Sequence, residues 1–284
     1  MNVDLVSITL KACSYLAVLQ AAGTALFLLL FGQTLVASAE VIRRLGLACA
    51  LLGVASLLAF QAFEAARMAG ELAGLRDGQL QWLAATSRMG GANALRLAGL
   101  ALLSAAFAGR RARRGALLLP GAAATLAAFA CVGHTTVHPW RWLLAPLLSV
   151  HVLVAAFWFG SLLPLACASG RESVGVGRAV VERFSALAGW LVPLLALAAI
   201  ALAAALTGNH YADTPYLRAL LLKLLGLAVL LGIAAMNRWR LGPAIGRSPG
   251  ATRAFQRSLL AEYLLMGAVI ALTATLTTLW SPEQ

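Results

Sequence analysis

The chain has 284 residues, of which 61% are hydrophobic and only 11% are charged, and its mean hydropathy is +0.86. A water-soluble protein of this length needs far more polar surface, so lipid must be the solvent for most of the chain. The formal net charge of +12 does not by itself indicate nucleic-acid binding, because loop arginines set the topology of membrane proteins. We therefore predict an all-α polytopic membrane protein.

Eight apolar stretches have the length of a membrane span, since a helix needs about 20 apolar residues to cross about 30 Å of hydrocarbon. In chain order the predicted spans are Asp4–Phe31, Arg44–Phe63, Met89–Gly109, Gly115–His134, Leu143–Ala168, Phe184–Gly208, Tyr216–Asn237 and Ser258–Trp280. The first follows an N-terminus without a basic cluster, so we expect a retained span and not a cleaved signal peptide. The prediction is a single integral membrane domain over residues 1–284, folded as an eight-helix bundle.

The arginines are concentrated in the loops that follow the odd-numbered spans. These loops hold Arg43, Arg44, Arg110, Arg111, Arg113, Arg114, Arg171, Arg178, Arg183, Arg238, Arg240, Arg247, Arg253 and Arg257. The even-numbered loops hold Arg67, Arg76, Arg88, Arg141 and Arg218. The positive-inside rule places the arginine-rich face in the cytoplasm. Both termini and the arginine-poor face are then periplasmic, if the membrane is a bacterial inner membrane.

The sequence also contains signs of an internal repeat. The third and seventh spans share a basic residue, Arg96 or Lys223, followed by the pattern L-x-G-L-A, and the first and fifth spans pair Gly23 with Gly160. Halves of four spans each would have the same orientation and be related by an axis along the membrane normal. Chance similarity between apolar helices is the alternative. The possible repeat halves are 1–138 and 139–284.

All four histidines map to the arginine-poor face. His134 ends the fourth span, His138 follows one turn later, and His210 lies in the loop after the sixth span. His151 lies inside the fifth span, roughly 12–15 Å from its outer end at the helical rise per residue. An ionisable residue inside a span is costly and usually functional, so His151 is the strongest candidate. The other three histidines would also suit an interfacial or solvent-exposed position.

Two methionines, Met68 and Met89, map to the same face as the histidines. Imidazole and thioether ligands suit copper, and a mixed Met and His site suits Cu(I) in particular. The scarcity of carboxylates argues against calcium or magnesium, whereas packing alone would also explain a methionine. The predicted copper site consists of His134, His138, His151, Met68 and Met89, with His210 and Cys131 left open as further ligands.

Three charged residues lie within the spans and need partners there: Arg96, Lys223 and Glu262. Lys223 enters from the arginine-poor face and Glu262 from the opposite face, so their side chains could approach near mid-depth. An ion pair that stabilises the bundle and a role in ion passage are both consistent with this. The chain has no nucleotide-binding loop, Ser/His/Asp arrangement or zinc-protease motif, and its four cysteines show no paired spacing. We predict neither an enzyme nor a disulfide framework.

The stretch 133–165 resembles the CopD/PcoD copper-resistance protein D family. That family typically has a GH motif at the end of one span, then a histidine and a W-x-G-G-like turn in the next. The corresponding residues here are His134, His151 and Trp158-Phe159-Gly160-Ser161. Further similar stretches are Met68-Ala69-Gly70, Arg183-Phe184-Ser185, Thr214-Pro215-Tyr216 with Lys223, and Asn237-Arg238. The chain departs from the family pattern at Ser161, which replaces a glycine, and at Leu148, where many members carry an acidic residue.

The resemblance implies copper handling at a bacterial inner membrane, commonly as uptake into the cytoplasm. We therefore predict a copper importer that receives copper at its periplasmic face, with a periplasmic copper chaperone as a candidate donor and the oligomeric state open. Two other functions fit the residues. One is a copper sensor or chaperone-docking protein without transport. The other is a membrane redox protein that binds haem between facing histidines.

Overall fold

The computed structural model describes residues 3–109, 111–133, 136–207 and 215–279 of the chain. It is 91% helical, with no strand in the described residues, so the all-α prediction is confirmed. The α-helices of this described part are α1 (Val3–Phe31), α2 (Ala39–Ala69), α3 (Gly78–Thr86), α4 (Arg88–Ala108), α5 (Arg111–Ala127), α6 (Arg141–Arg171), α7 (Val174–Thr207), α8 (Pro215–Met236) and α9 (Pro249–Leu279).

Seven helices in the described residues are long and apolar enough to cross a membrane, namely α1, α2, α4, α6, α7, α8 and α9. The remaining predicted span corresponds to α5, whose apolar part continues through a 3₁₀ turn as Gly115–Cys131. A 3₁₀ turn rises about 2.0 Å per residue, so these 17 residues extend roughly 27 Å. The chain leaves this span at Gly133, whose φ of 93° favours glycine. The span is therefore shorter than predicted, and it ends before His134.

The connection between α2 and α4 contains structure that the sequence pattern did not predict. A 3₁₀ turn, Leu72–Arg76, leads into the short helix α3. The Asp77 carboxylate accepts from the backbone N–H groups of Gln79 and Leu80, which caps α3. Ser87 caps α4 in the same way, accepting from the N–H of Gly90. Such side chains satisfy the free donors of a helix N-terminus.

Helices α1 and α6 cross in direct backbone contact at Gly23 and Gly160. A Cβ atom on Gly23 would lie 1.9 Å from the carbonyl oxygen of Ala156, and one on Gly160 would lie 2.5 Å from Gly23 Cα. Small residues at such a crossing allow membrane helices to approach closely. Pro164 cannot donate to the Gly160 carbonyl, and Gln20 of α1 donates to it at 3.0 Å instead. The glycines that the predicted repeat pairs with each other therefore meet where the two halves join.

The two halves differ in how closely their helices pack against one another. In the N-terminal half, α1 packs on α2 and α5, α4 packs on α5, and α2 packs on α4. In the C-terminal half, α6 packs on α7 and α9, and α8 packs on α9, but the described parts of α7 and α8 scarcely touch. The matching helix partners agree with a repeat, which stays a prediction. The C-terminal half is left open between α7 and α8.

A carboxylate joins the two halves at the arginine-rich face. Glu172, which follows α6, accepts from the backbone N–H groups of Val36, Ala37 and Ser38 at 3.0, 3.2 and 2.8 Å. It also accepts from the Ser38 hydroxyl at 2.6 Å. Partial burial opposes the effect, but these hydrogen bonds outweigh it and hold the pKa of Glu172 below its usual range. The carboxylate thus sits at the N-terminus of α2, where the helix dipole favours negative charge.

Candidate functional site

The predicted ligands near the membrane surface are spread over several elements. His138 lies half-buried in the loop before α6, where its Nδ1 atom accepts from the backbone N–H of Trp140 at 3.1 Å. It lines a surface cavity of about 420 Å³ together with Arg88, the residue before Met89 at the start of α4. Met68 lies near the end of α2 and is 48% exposed. These side chains share one end of the bundle, and His134 and His210 lie outside the described residues.

No group of three or more His, Cys, Asp or Glu side chains in the described ranges is arranged to hold a metal ion. One reason is that the predicted ligands lie at different depths in the bundle. His151 lies ten residues beyond the start of α6, which is about 15 Å along the helix axis, whereas His138 precedes that helix. The structure therefore brings His138 close to the start of α4 and places His151 much deeper in the bundle.

His151 faces the interior of the C-terminal half. Its Nδ1 atom is fully buried and has no hydrogen-bond partner among the described residues. The ring lies against the backbone of Leu195 on α7 and near the ammonium of Lys223 on α8. Trp158, two helical turns further along α6, lies on the same helix face. A buried imidazole nitrogen without a partner is free to coordinate a metal ion.

The side chain of Glu262 is buried in the same half, with 2% of its surface exposed. Its Oε1 atom accepts from the indole N–H of Trp158 at 2.6 Å, and its Oε2 atom accepts from the amide of Asn237 at 2.7 Å. No ion pair joins Glu262 to Lys223 among the residues described, where the ion pairs are those of Arg43, Arg44, Arg67 and Arg178 with nearby glutamates. The ion pair considered from sequence is therefore absent, because neutral donors from α6 and from the end of α8 occupy the carboxylate.

A cavity of about 490 Å³ lies beside Glu262, between α6, α7, α8 and α9. Helices α7 and α8, which flank the open side of this cavity, both deviate from regular α-helical geometry beside it. Pro193 in α7 cannot donate to the carbonyl of Gly189, and α8 ends in a π-helical turn, Asn237–Leu241. Gly189 leaves room for Arg238, since a Cβ on that glycine would lie 2.2 Å from the guanidinium. Arg238 in turn donates to the carbonyl of Ser185.

The N-terminal half buries a second polar cluster near the arginine-poor face. The guanidinium of Arg96 donates to Asn93 at 2.7 Å and lies over the ring of Phe129, 4.4 Å from its centroid. Lys11 on α1 donates to the Thr277 carbonyl and the Thr278 hydroxyl on α9, each at 3.1 Å. Arg96 was predicted from the sequence as a charged residue within a span, whereas Lys11 was not. Its position inside the first apolar stretch was the available signal, because a charged residue within a span needs a polar partner.

Two family models match the chain. The model described as Copper resistance protein D matches residues 178–276. The model described as Copper resistance protein D-like, N-terminal domain, matches residues 1–139. No curated protein and no solved structure matches. Helix α6, which carries His151 and Trp158, lies between the two matched regions. Together the matches and the apolar helices show that the chain belongs to the copper resistance protein D family of multi-pass membrane proteins.

Proposed function

We propose that this protein carries copper across the bacterial inner membrane, from the periplasm to the cytoplasm, without catalysing a reaction. The observation that carries the proposal is the Nδ1 atom of His151, which is buried and has no hydrogen-bond partner in the described part of the chain. Burying a polar nitrogen without a partner costs free energy. A metal ion that binds there transiently accounts for this cost. Membership of a copper resistance family makes copper the expected ion.

The arrangement of helix α6 supports a path inward from His151. Trp158 and Leu165 follow His151 at intervals of seven residues, which places all three on one helix face. The last two of them line the cavity beside Glu262. Copper that leaves His151 toward the cytoplasm would therefore move along this face of α6 and between α7 and α8, where the bundle is open.

The remaining predicted ligands would deliver copper to His151 from the periplasmic face. In this proposal His134 and His138 receive the ion, Met68 and Met89 supply thioether ligands, and a periplasmic copper chaperone is the expected donor. Passage requires weak and exchangeable coordination, so a set of ligands spread along a path suits transport better than a closed cage. Imidazole and thioether groups are also the ligands that select copper over harder cations.

The experiment is copper binding and copper coordination in the purified protein. Wild-type protein loaded with Cu(I) is compared with His151→Gln and with Ser149→Ala, a control on the same helix whose hydroxyl donates to the Ala145 carbonyl of α6. We expect the X-ray absorption spectrum of the wild type to contain imidazole scattering that decreases in His151→Gln and not in the control. Equal copper content and identical spectra in all three proteins would overturn the assignment of His151.

The thioether ligands have a matched control as well. Met68 near the arginine-poor face and Met236 at the other end of the bundle are similarly exposed, at 48% and 41%. We expect Met68→Leu to weaken copper binding and Met236→Leu to leave it unchanged. Equal effects of the two substitutions would remove Met68 from the site.

A copper sensor or chaperone-docking protein would bind copper at the same residues without moving it. Uptake into proteoliposomes separates the two functions, because binding without flux favours the sensor. A haem protein needs two histidines that face each other at one depth. In the described residues His151 is the histidine inside a helix, and His138 lies in a loop. A Soret absorption band in the purified protein would support the haem alternative.

A further inference from the structure

We infer that Glu262 and Asn237 form a reversible proton-binding site, open to the arginine-rich face through the cavity between α7 and α8. Three observations on the described residues carry this inference: the buried Glu262 carboxylate has no cationic partner among them, the buried Asn237 amide oxygen has no donor among them, and a cavity reaches both. Ionisable residues inside a membrane protein commonly belong to ion or proton pathways. The proposed ligand is a proton, and not the copper ion.

The carboxylate form of Glu262 is held by neutral donors. Trp158 Nε1 donates to one oxygen and Asn237 Nδ2 donates to the other, at 2.6 and 2.7 Å. Each hydrogen bond to a charged acceptor is stronger than one between neutral groups, but neither donor cancels the charge. The carboxylate can therefore take up a proton without breaking an ion pair.

Asn237 offers a hydrogen-bond acceptor to the protonated form of Glu262. The Oδ1 atom of Asn237 is buried and has no hydrogen-bond partner among the described residues. When Glu262 takes one proton from water in the cavity, the new O–H group can donate to this oxygen while Nδ2 continues to donate to the other carboxyl oxygen. Asn237 thus offers a donor to the carboxylate and, after a rotation of its amide, an acceptor to the acid.

The position of Asn237 supports a functional role. It begins the π-helical turn that ends α8, and turns of this kind occur frequently at functional sites. The π-helical turn packs against α9, the helix that carries Glu262. The π-helical turn therefore presents the Asn237 amide to the helix that carries Glu262.

Few charges surround the pair in the elements that pack against α9. Among the residues that line the cavity, Arg238 is the charged residue besides Glu262. Helix α6 carries His151, two turns from Trp158. Helix α8 carries Lys223 further toward the arginine-poor face, and α1 carries Lys11 near the opposite end of α9. The amide and the indole are the direct partners of the carboxylate among the described residues, so we infer that a proton reaches Glu262 by way of the cavity.

A proton that binds at Glu262 is a candidate driving ion for the copper movement proposed above. If proton binding at Glu262 controls the opening between α7 and α8, then proton movement through this site accompanies copper movement. This coupling rests on the proposed function, whereas the proton site itself does not. Oxygen donors also suit a proton better than they suit a soft ion such as Cu(I).

The test is an infrared titration of the purified protein. The carbonyl stretch of a protonated carboxyl group is followed as the pH is lowered, in the wild type, Glu262→Gln and Glu182→Gln. Glu182 is an exposed carboxylate paired with Arg178, so its substitution is the control. We expect a band from a buried, hydrogen-bonded acid that is lost completely in Glu262→Gln and kept in the control. A spectrum that is the same in all three proteins would overturn the inference.

A second variant keeps the test decisive if Glu262→Gln does not fold. Asn237→Ala keeps the carboxyl group and removes both its amide donor and the proposed acceptor. We expect the acid band to remain and to shift in frequency, and an unshifted band would contradict the role of Asn237.

Proteoliposomes that contain a pH-sensitive dye then test the coupling of proton movement to copper movement. Copper uptake should change the lumenal pH in the wild type and not in Glu262→Gln, and copper uptake with no pH change in the wild type would contradict coupling. A wild type that moves no copper would refute the proposed function alone, since the infrared result still decides the proton site.

Discussion

Replacing Gly160 with alanine should weaken the junction of the two halves. The new Cβ atom would lie 2.5 Å from Gly23 Cα and 3.0 Å from the backbone nitrogen of Thr24. Carbon atoms pack at about 3.5–4.0 Å, so α1 and α6 must separate by roughly 1 Å. Overpacking of this kind costs about 1–3 kcal/mol. The separation also breaks the hydrogen bond from Gln20 to the Gly160 carbonyl, which contributes about 1 kcal/mol.

We therefore expect Gly160→Ala to lower the free energy of unfolding by about 2–4 kcal/mol. The assay is reversible unfolding in mixed detergent micelles, followed by circular dichroism. Gly232→Ala is the matched control, because Gly232 lies within α8 and no heavy atom of the described residues lies within 4 Å of its added Cβ. Both variants gain the same intrinsic helix propensity. Equal stability of the two variants would refute the close approach of α1 and α6.

Three further predictions concern polar side chains. Gln20→Leu should destabilise the protein by about 1–3 kcal/mol, because it deprives the Gly160 carbonyl of its closest side-chain donor, and thermal unfolding measures the loss. Glu172→Gln should destabilise the protein at neutral pH. The folded-state pKa of Glu172 lies below its unfolded value. Its contribution to the free energy of unfolding is therefore present above the ordinary carboxyl pKa and is lost as the pH falls through the folded-state pKa. The difference in stability from the wild type should thus vanish in acid. Lys223→Met should tighten copper binding at His151, because it removes a positive charge near the imidazole and like charges repel, and competition with a copper chelator measures the change.

Each of these three predictions can fail independently. Gln20→Leu with wild-type stability would show that Thr24, which lies 3.5 Å from the same carbonyl oxygen, is a sufficient donor. A pH-independent effect of Glu172→Gln, or an equal effect of the exposed control Glu182→Gln, would contradict the cap on α2. Unchanged copper affinity in Lys223→Met would place the bound copper away from His151.

The helices could be predicted from the sequence because apolar length alone identifies a membrane span. This succeeded for α1, α2, α4, α6, α7, α8 and α9, each of which is apolar over enough residues. It failed for the short helix α3, which has too few apolar residues to produce a signal, and it overestimated the α5 span. The α5 span ends in a 3₁₀ turn, and the chain leaves it at Gly133. Apolar composition does not predict such local changes of the backbone.

The candidate site could be predicted only in part, because depth follows from topology and partners do not. The position of His151 inside a span follows from counting residues along α6. The partners of Glu262 depend on how α6, α8 and α9 pack, so its bonds to Trp158 and Asn237 had no signature in the sequence. The resemblance of the first and fifth spans aligned Gly23 with Gly160, but it did not reveal that these two glycines touch.

Copper accumulation in cells tests the central claim most directly. Bacteria that express the wild-type protein, the His151→Gln variant or the Ser149→Ala control are grown in limiting copper, and the cytoplasmic copper content is measured by mass spectrometry. We predict higher cytoplasmic copper with the wild type and the control, and the level of cells without the protein with His151→Gln. Equal or lower cytoplasmic copper in cells that express the wild type would contradict import, and undiminished copper with His151→Gln would contradict passage by way of this histidine.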